Sequence, residues 1–234
     1  MAGRKDFADL KKFGTKELKF KQGVHIDAAH KNQTFGQTIL SAPVYEQAKE
    51  GICVALTLEW LKSQLTEGTY GLFNATPMSA VENFQHQLTV AHAAQFHIAY
   101  QEERKTKNRR DSLTLIAAEY GLKIANDEEN ELTGPTEPVL TEADMTCEAG
   151  QGVYFSVGIQ KGAAKYRHAI GLTKKKDGIR FFDSNVGAYL VTDHLNFYER
   201  WMALLRDKLG WTVGNCHGFR VSNVIGVTPP TVRS

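Results

Sequence analysis

The chain has 234 residues, 42% hydrophobic and 10% aromatic, enough to bury one sizeable core, and its net charge of +2 is no argument for nucleic acid or membrane as the main partner. Three cysteines (Cys53, Cys147 and Cys216) are too few for a disulfide scaffold and suit a reducing compartment. No run approaches the roughly 18 apolar residues of a membrane helix, and no apolar stretch follows the basic N-terminus, so a conventional secretory signal is absent.

Residues 1–38 are polar, Lys-rich and Gly-punctuated, with seven Lys or Arg against three acids between Met1 and Gln22. They read as a basic arm or pro-segment, loosely packed beside a domain spanning 39–234. From Ile52 onward, Val54, Leu58, Leu61 and Leu65 recur at helical spacing, giving an apolar face that ends near Glu67-Gly68. Ser79 to Tyr100 repeats the pattern and opens with the capping-box form Ser79-Ala80-Val81-Glu82. Asp111 to Tyr120 reads as a third helix stopped by Gly121.

Between Asp127 and Glu148 lie eight acids and no Lys or Arg, a long acidic connection. The texture then changes. Gly152–Gln160, His168–Lys174 and Gly178–Asp183 are β-rich runs separated by Lys161-Gly162 and by Lys176-Asp177-Gly178, and Asp-Gly between such runs is a strong hairpin signal. Asp193–Leu209 reads as a fourth helix, and Trp211–Val227 returns as strand. Helices first and then a meander with one inserted helix make an α+β protein with a mainly antiparallel sheet.

The chemistry concentrates on Cys53. It falls in the first turn of its helix behind Gly51, where unpaired N–H groups and the positive dipole end favour thiolate over thiol. His168 heads one strand of the expected hairpin and Asp183 ends the next, close enough for Asp183 to bond one ring nitrogen and set the tautomer. Gln47, six residues before Cys53, can join the Cys53 N–H as an oxyanion donor, and Asn185 can support Asp183. Taken singly, each has a plainer reading. A lone Cys on an amphipathic helix is most often core, and Asp before Ser-Asn is commonly turn chemistry. Their joint order favours catalysis.

The other candidates are weaker. His25, His30, His86, His92 and His97 lack the spacing of a zinc site. Cys216 and His217 are adjacent on a strand and so point to opposite faces, and Cys147 lies in acidic surroundings that disfavour a thiolate. No cofactor is expected.

Gly51-Ile52-Cys53-Val54-Ala55-Leu56 running into Trp60-Leu61, His168-Ala169-Ile170-Gly171-Leu172, and Phe182-Asp183-Ser184-Asn185-Val186-Gly187 together resemble the YopT-type papain-like cysteine peptidases, effector proteases of bacterial pathogens and plant symbionts. The intervals, a little over a hundred residues and then about fifteen, match as well, over roughly residues 40–225. The resemblance implies a papain-like two-lobe fold, with a helical lobe carrying Cys53 against a β-sheet lobe. It implies Cys53 as nucleophile, His168 as base and Asp183 as orienting acid. Papain uses a Gln six before its nucleophile, which Gln47 fits, whereas effector members can place an Asn nearby.

Some family members cleave their own N-terminal segment, a role open to residues 1–38. The expected activity is endoproteolysis of a host protein by an effector made in a bacterial cytoplasm and secreted without a conventional signal. Deamidation, transglutamination or acyl transfer through the same triad is the alternative reaction, and a non-catalytic binding module of the same fold is the alternative class. Neither nucleic acid binding nor stable membrane insertion is expected.

Overall fold

The computed structural model describes residues 8–18, 20–31, 33–34, 37–48, 51–66, 80–125, 130–132 and 150–224. A 3₁₀ turn (Ala8–Lys12), strand β1 (Gly14–Leu18) and helix α1 (Gln22–Lys31) come first. The two-residue strands β2 (Gln33–Thr34) and β3 (Gln37–Thr38) pair with each other. Helices α2 (Ala42–Ala48), α3 (Cys53–Leu65), α4 (Ala80–Glu103) and α5 (Arg109–Glu119) follow. Strands β4 (Leu122–Ile124), β5 (Asn130–Leu132), β6 (Gln151–Lys161), β7 (Ala164–Lys175), β8 (Gly178–Asp183) and β9 (Gly187–Val191) lead to helix α6 (His194–Leu209) and strand β10 (Thr212–Asn223).

The main sheet runs β1-β9-β8-β7-β6-β10-β4 with every pairing antiparallel, and β5 also pairs with β10. Each face carries its own core. Phe181 and Phe182 show how: consecutive strand residues point oppositely. Phe182 meets Trp60 of α3 in a stacked pair at 5.3 Å, while Phe181 meets Phe197 and Trp201 of α6 edge-on. Fully burying such side chains contributes about 1.5–3 kcal/mol each.

Helix α3 is buried around most of its circumference, Cys53 to Leu58 and Trp60, Leu61 and Ser63 included, because it packs between β7 and α4. Two glycines let it approach the sheet. A Cβ on Gly171 would stand 2.9 Å from the Trp60 ring, and one on Gly152 would stand 2.7 Å from Leu61. The Thr57 hydroxyl donates to the Ala169 carbonyl at 3.3 Å, which sets the register of helix on strand.

The expected helices are present with shifted ends. Helix α5 starts at Arg109, earlier than the sequence pattern indicated, because Asn108 is the N-cap and accepts from the Asp111 N–H at 2.8 Å. Helix α6 is capped by Asp193 and closed by Gly210 in the left-handed region. Ser79, and with it the capping box, lies outside the described residues, as do Cys147 and most of the acidic connection.

The N-terminal stretch, expected as a loose arm, is folded into the domain over its described part. Strand β1 pairs with β9 from Gly14 opposite Val191 to Leu18 opposite Ala188. Leu10, Leu18, Phe20, Ile26 and Ala29 are all buried. The composition of the segment hides this, because its few apolar residues are scattered among lysines, of which Lys11, Lys12 and Lys21 stay exposed. Strand β1 closes one side of the sheet and is short and polar, as edge strands are.

Candidate active site

Three elements bring the expected residues together. Gly51, at φ +118°, turns the chain into α3, and Cys53 is the first helical residue, 6% exposed. By position its N–H has no intrahelical partner. Its Sγ lies 4.0 Å from the carbonyl oxygen of Arg167, the residue before His168.

His168 occupies the fifth position of β7 instead of its head, and it is buried. Its Nε2 donates to Asp183 Oδ1 at 2.8 Å, and Cys53 lies close enough to act on the charge of the same ring. With Nε2 committed to an acceptor-only carboxylate, Nδ1 is the nitrogen left for the thiol. Asp183 lies opposite Ile170 in the β7–β8 register, so His168 is its diagonal neighbour on one face.

Asp183 is wholly buried, and both its oxygens are engaged. Oδ1 also accepts from the Asn185 backbone N–H at 2.8 Å, and Oδ2 accepts from Trp201 Nε1 at 2.8 Å. Burial alone would push the His168 ring toward neutrality. The charge and hydrogen bond of Asp183, joined by those of Cys53, outweigh it and raise the ring's pKa to about 10. The Trp211 ring leans over the imidazole at 5.7 Å between centroids.

Asn185 takes part twice. Its backbone bonds Asp183, and its Oδ1 accepts from Gln22 Nε2 at 2.9 Å. Gln22 Oε1 in turn accepts from the Ile52 N–H at 3.1 Å, and the Gln22 N–H donates to the Ser184 carbonyl at 2.7 Å. Gln47, the residue expected beside the nucleophile, stands exposed in the last turn of α2, with no hydrogen bond to this cluster among the described residues. Gln22 and Trp201 escaped the sequence reading. The first sits in a Lys-rich stretch, and the second was one apolar position among several on α6.

The remaining candidates sit elsewhere. Cys216 is buried on β10 opposite Val157. His25 of α1 and His86 of α4 touch at 2.8 Å; burial and then the neighbouring His86 push the pKa of His25 down to about 4. Among the described residues no group of three or more His, Cys, Asp or Glu side chains is arranged to hold a metal ion.

The model of the C58 peptidase family, described as Yersinia/Haemophilus virulence surface antigen, matches residues 25–224. The crystal structure of the Pseudomonas avirulence protein AvrPphB is similar to this chain with a TM-score of 0.53 at 16% identity, covering 78% of this chain and 96% of that one. No curated protein sequence matches. The structural likeness, at that identity, establishes an α+β papain-like fold. The family match covers most of the chain, and the chain belongs to the C58 peptidases, a family of cysteine peptidases that act as virulence effectors.

Proposed function

We propose that the protein cleaves a protein substrate inside a target cell through a triad of Cys53, His168 and Asp183. The observation that carries this reading is the buried 2.8 Å bond from His168 Nε2 to Asp183, with Cys53 close to the same ring. The raised affinity of His168 for its proton, which Asp183 sets against the cost of burial, keeps the ring charged beside Cys53.

In this reading the Cys53 sulfur adds to the scissile carbonyl carbon, and the carbonyl electron pair moves onto oxygen. The Cys53 backbone N–H, free of an intrahelical partner by position, faces that developing charge. Collapse expels the amine, which takes the proton held on His168 Nδ1 and leaves a thioester. A water, deprotonated by the now neutral Nδ1, releases the acid. Asp183 keeps the ring in place and favours its charged form, and Asn185 holds Asp183.

No helix among the described residues is long and apolar enough to cross a membrane. Delivery into a host cell without a conventional signal follows from the effector reading. If the protein removes part of its own N-terminal segment, the cut falls ahead of Leu10, because β1 and α1 belong to the core.

Mass spectrometry of a host proteome treated with the protein tests the reaction. New N-termini that vanish with Cys53→Ala are the expected outcome. A one-dalton gain on Gln without new termini would replace proteolysis by deamidation, and an unchanged proteome whose Cys53 resists a thiol-reactive epoxide would reduce the protein to a binding module.

A further inference from the structure

We infer that Gln22, from the N-terminal segment, is the side-chain oxyanion donor of this site. The inference rests on Cys53 being the nucleophile. Gln22 lies ahead of the stretch matched by the family model, which begins at residue 25, and it reaches the nucleophile's helix across 30 positions of sequence.

Its amide is held in one orientation. Oε1 is taken by the Ile52 N–H at 3.1 Å, one residue before Cys53, so Nε2 must point the other way. Nε2 carries two hydrogens. One goes to Asn185 Oδ1 at 2.9 Å, and the second has no protein partner among the described residues. The backbone of Gln22 is fastened too, by its own N–H on the Ser184 carbonyl next to Asp183.

Gly51 completes the arrangement. At φ +118° it turns the Ile52 N–H toward Gln22, and the position of its missing Cβ is 3.5 Å from Nε2. A donor N–H thus stands at the end of α3 where the Cys53 N–H emerges, fixed from both sides before any substrate arrives. Two such donors, one backbone and one side-chain amide, are what a tetrahedral oxyanion requires. Gln47, exposed on α2, has none of these anchors.

Two reactions of one thiol separate this role from a structural one. With p-nitrophenyl acetate, the sulfur adds to the carbonyl carbon and the oxygen becomes an oxyanion. Collapse restores the carbonyl, expels p-nitrophenolate and leaves acetyl-Cys53. With iodoacetamide, the sulfur displaces iodide from carbon and no oxyanion forms. Gln22→Ala is expected to slow the p-nitrophenolate burst by about 100- to 1,000-fold, with alkylation within about twofold of wild type. Gln22→Glu keeps an acceptor for the Ile52 N–H but removes both donors, and the same selective loss is expected.

A wild-type burst in a folded Gln22→Glu or Gln22→Ala protein overturns the inference. So does a parallel fall in both reactions, which would make Gln22 a support for Cys53 and nothing more. If Gln22→Ala does not fold, Gln22→Glu decides alone. Failure of the underlying reading looks different: the wild-type protein would then show no burst that Cys53→Ala abolishes, and the inference falls with it.

Discussion

Trp201→Phe removes one interaction of the candidate triad while leaving its three members intact. Trp201 Nε1 donates to Asp183 Oδ2 at 2.8 Å, in a site where both side chains are buried. A hydrogen bond to a buried charge contributes about 1.5–3 kcal/mol, and its loss leaves Oδ2 without that donor. For a domain of this size each kcal/mol lowers the melting temperature by about 2–4 °C, so the bond alone is worth about 3–12 °C. Trp60→Phe is the control, since Trp60 is equally buried, on the opposite face of the sheet, and has no bond to Asp183 among the described residues.

The same loss has a chemical readout. Without Trp201 Nε1, Oδ2 of Asp183 loses the donor that fixes it, so the carboxylate holds the His168 ring less firmly beside Cys53. With about 1.4 kcal/mol being tenfold in rate, Cys53 alkylation by iodoacetamide at neutral pH slows by about tenfold in Trp201→Phe and keeps its wild-type rate in Trp60→Phe. Calorimetry and alkylation rates supply both numbers. Equal melting losses in the two variants, together with equal alkylation rates, would refute the role given to the Trp201–Asp183 bond.

Two further outcomes concern stability. Burial, with His86 adding to it at His25, holds the pKa of both His25 and His97 down to about 4, so the unfolded chain takes up protons near pH 6.5 that the folded chain refuses. Stability therefore falls with acid between about pH 6.5 and 4, by about 1.4 kcal/mol per pH unit for each histidine, and His97→Gln should flatten that slope in urea titrations. His168 has the opposite sign: raised to about 10, its contribution is complete below pH 6.5 and fades as pH climbs toward 10. Gly187→Ala should cost at least about 3 kcal/mol, because Gly187 sits at φ +111° and the new Cβ would fall 2.1 Å from the Leu18 carbonyl oxygen. Wild-type melting in that variant would contradict the β1–β9 pairing.

How far the sequence could be read depended on where each signal lay. Helical periodicity in α3, α4 and α5, the Asp-Gly turn between β7 and β8 and the caps of α6 are local, so the α+β order was visible without coordinates. Strand β9 escaped because Gly187–Val191 is short and has no turn signal of the Asp-Gly kind before it. Strand β1 and α1 escaped because their apolar residues are sparse and their partners lie far along the chain, β9 for one and α4 for the other. His168 and Asp183 could be linked because a hairpin joins them over fifteen positions.

By itself the sequence determined the chemical parts of this protein: a thiol opening an amphipathic helix, and a histidine and an aspartate on neighbouring strands. Those are properties of nearby residues and of turn chemistry. Only the tertiary structure decided which groups surround them. Gln22 and Trp201 reach the site through contacts spanning 30 and 18 positions, formed by packing α1 beside the start of α3 and α6 against the sheet. Such contacts leave no period in the sequence, because they depend on how whole faces are buried and not on the spacing of residues along one element.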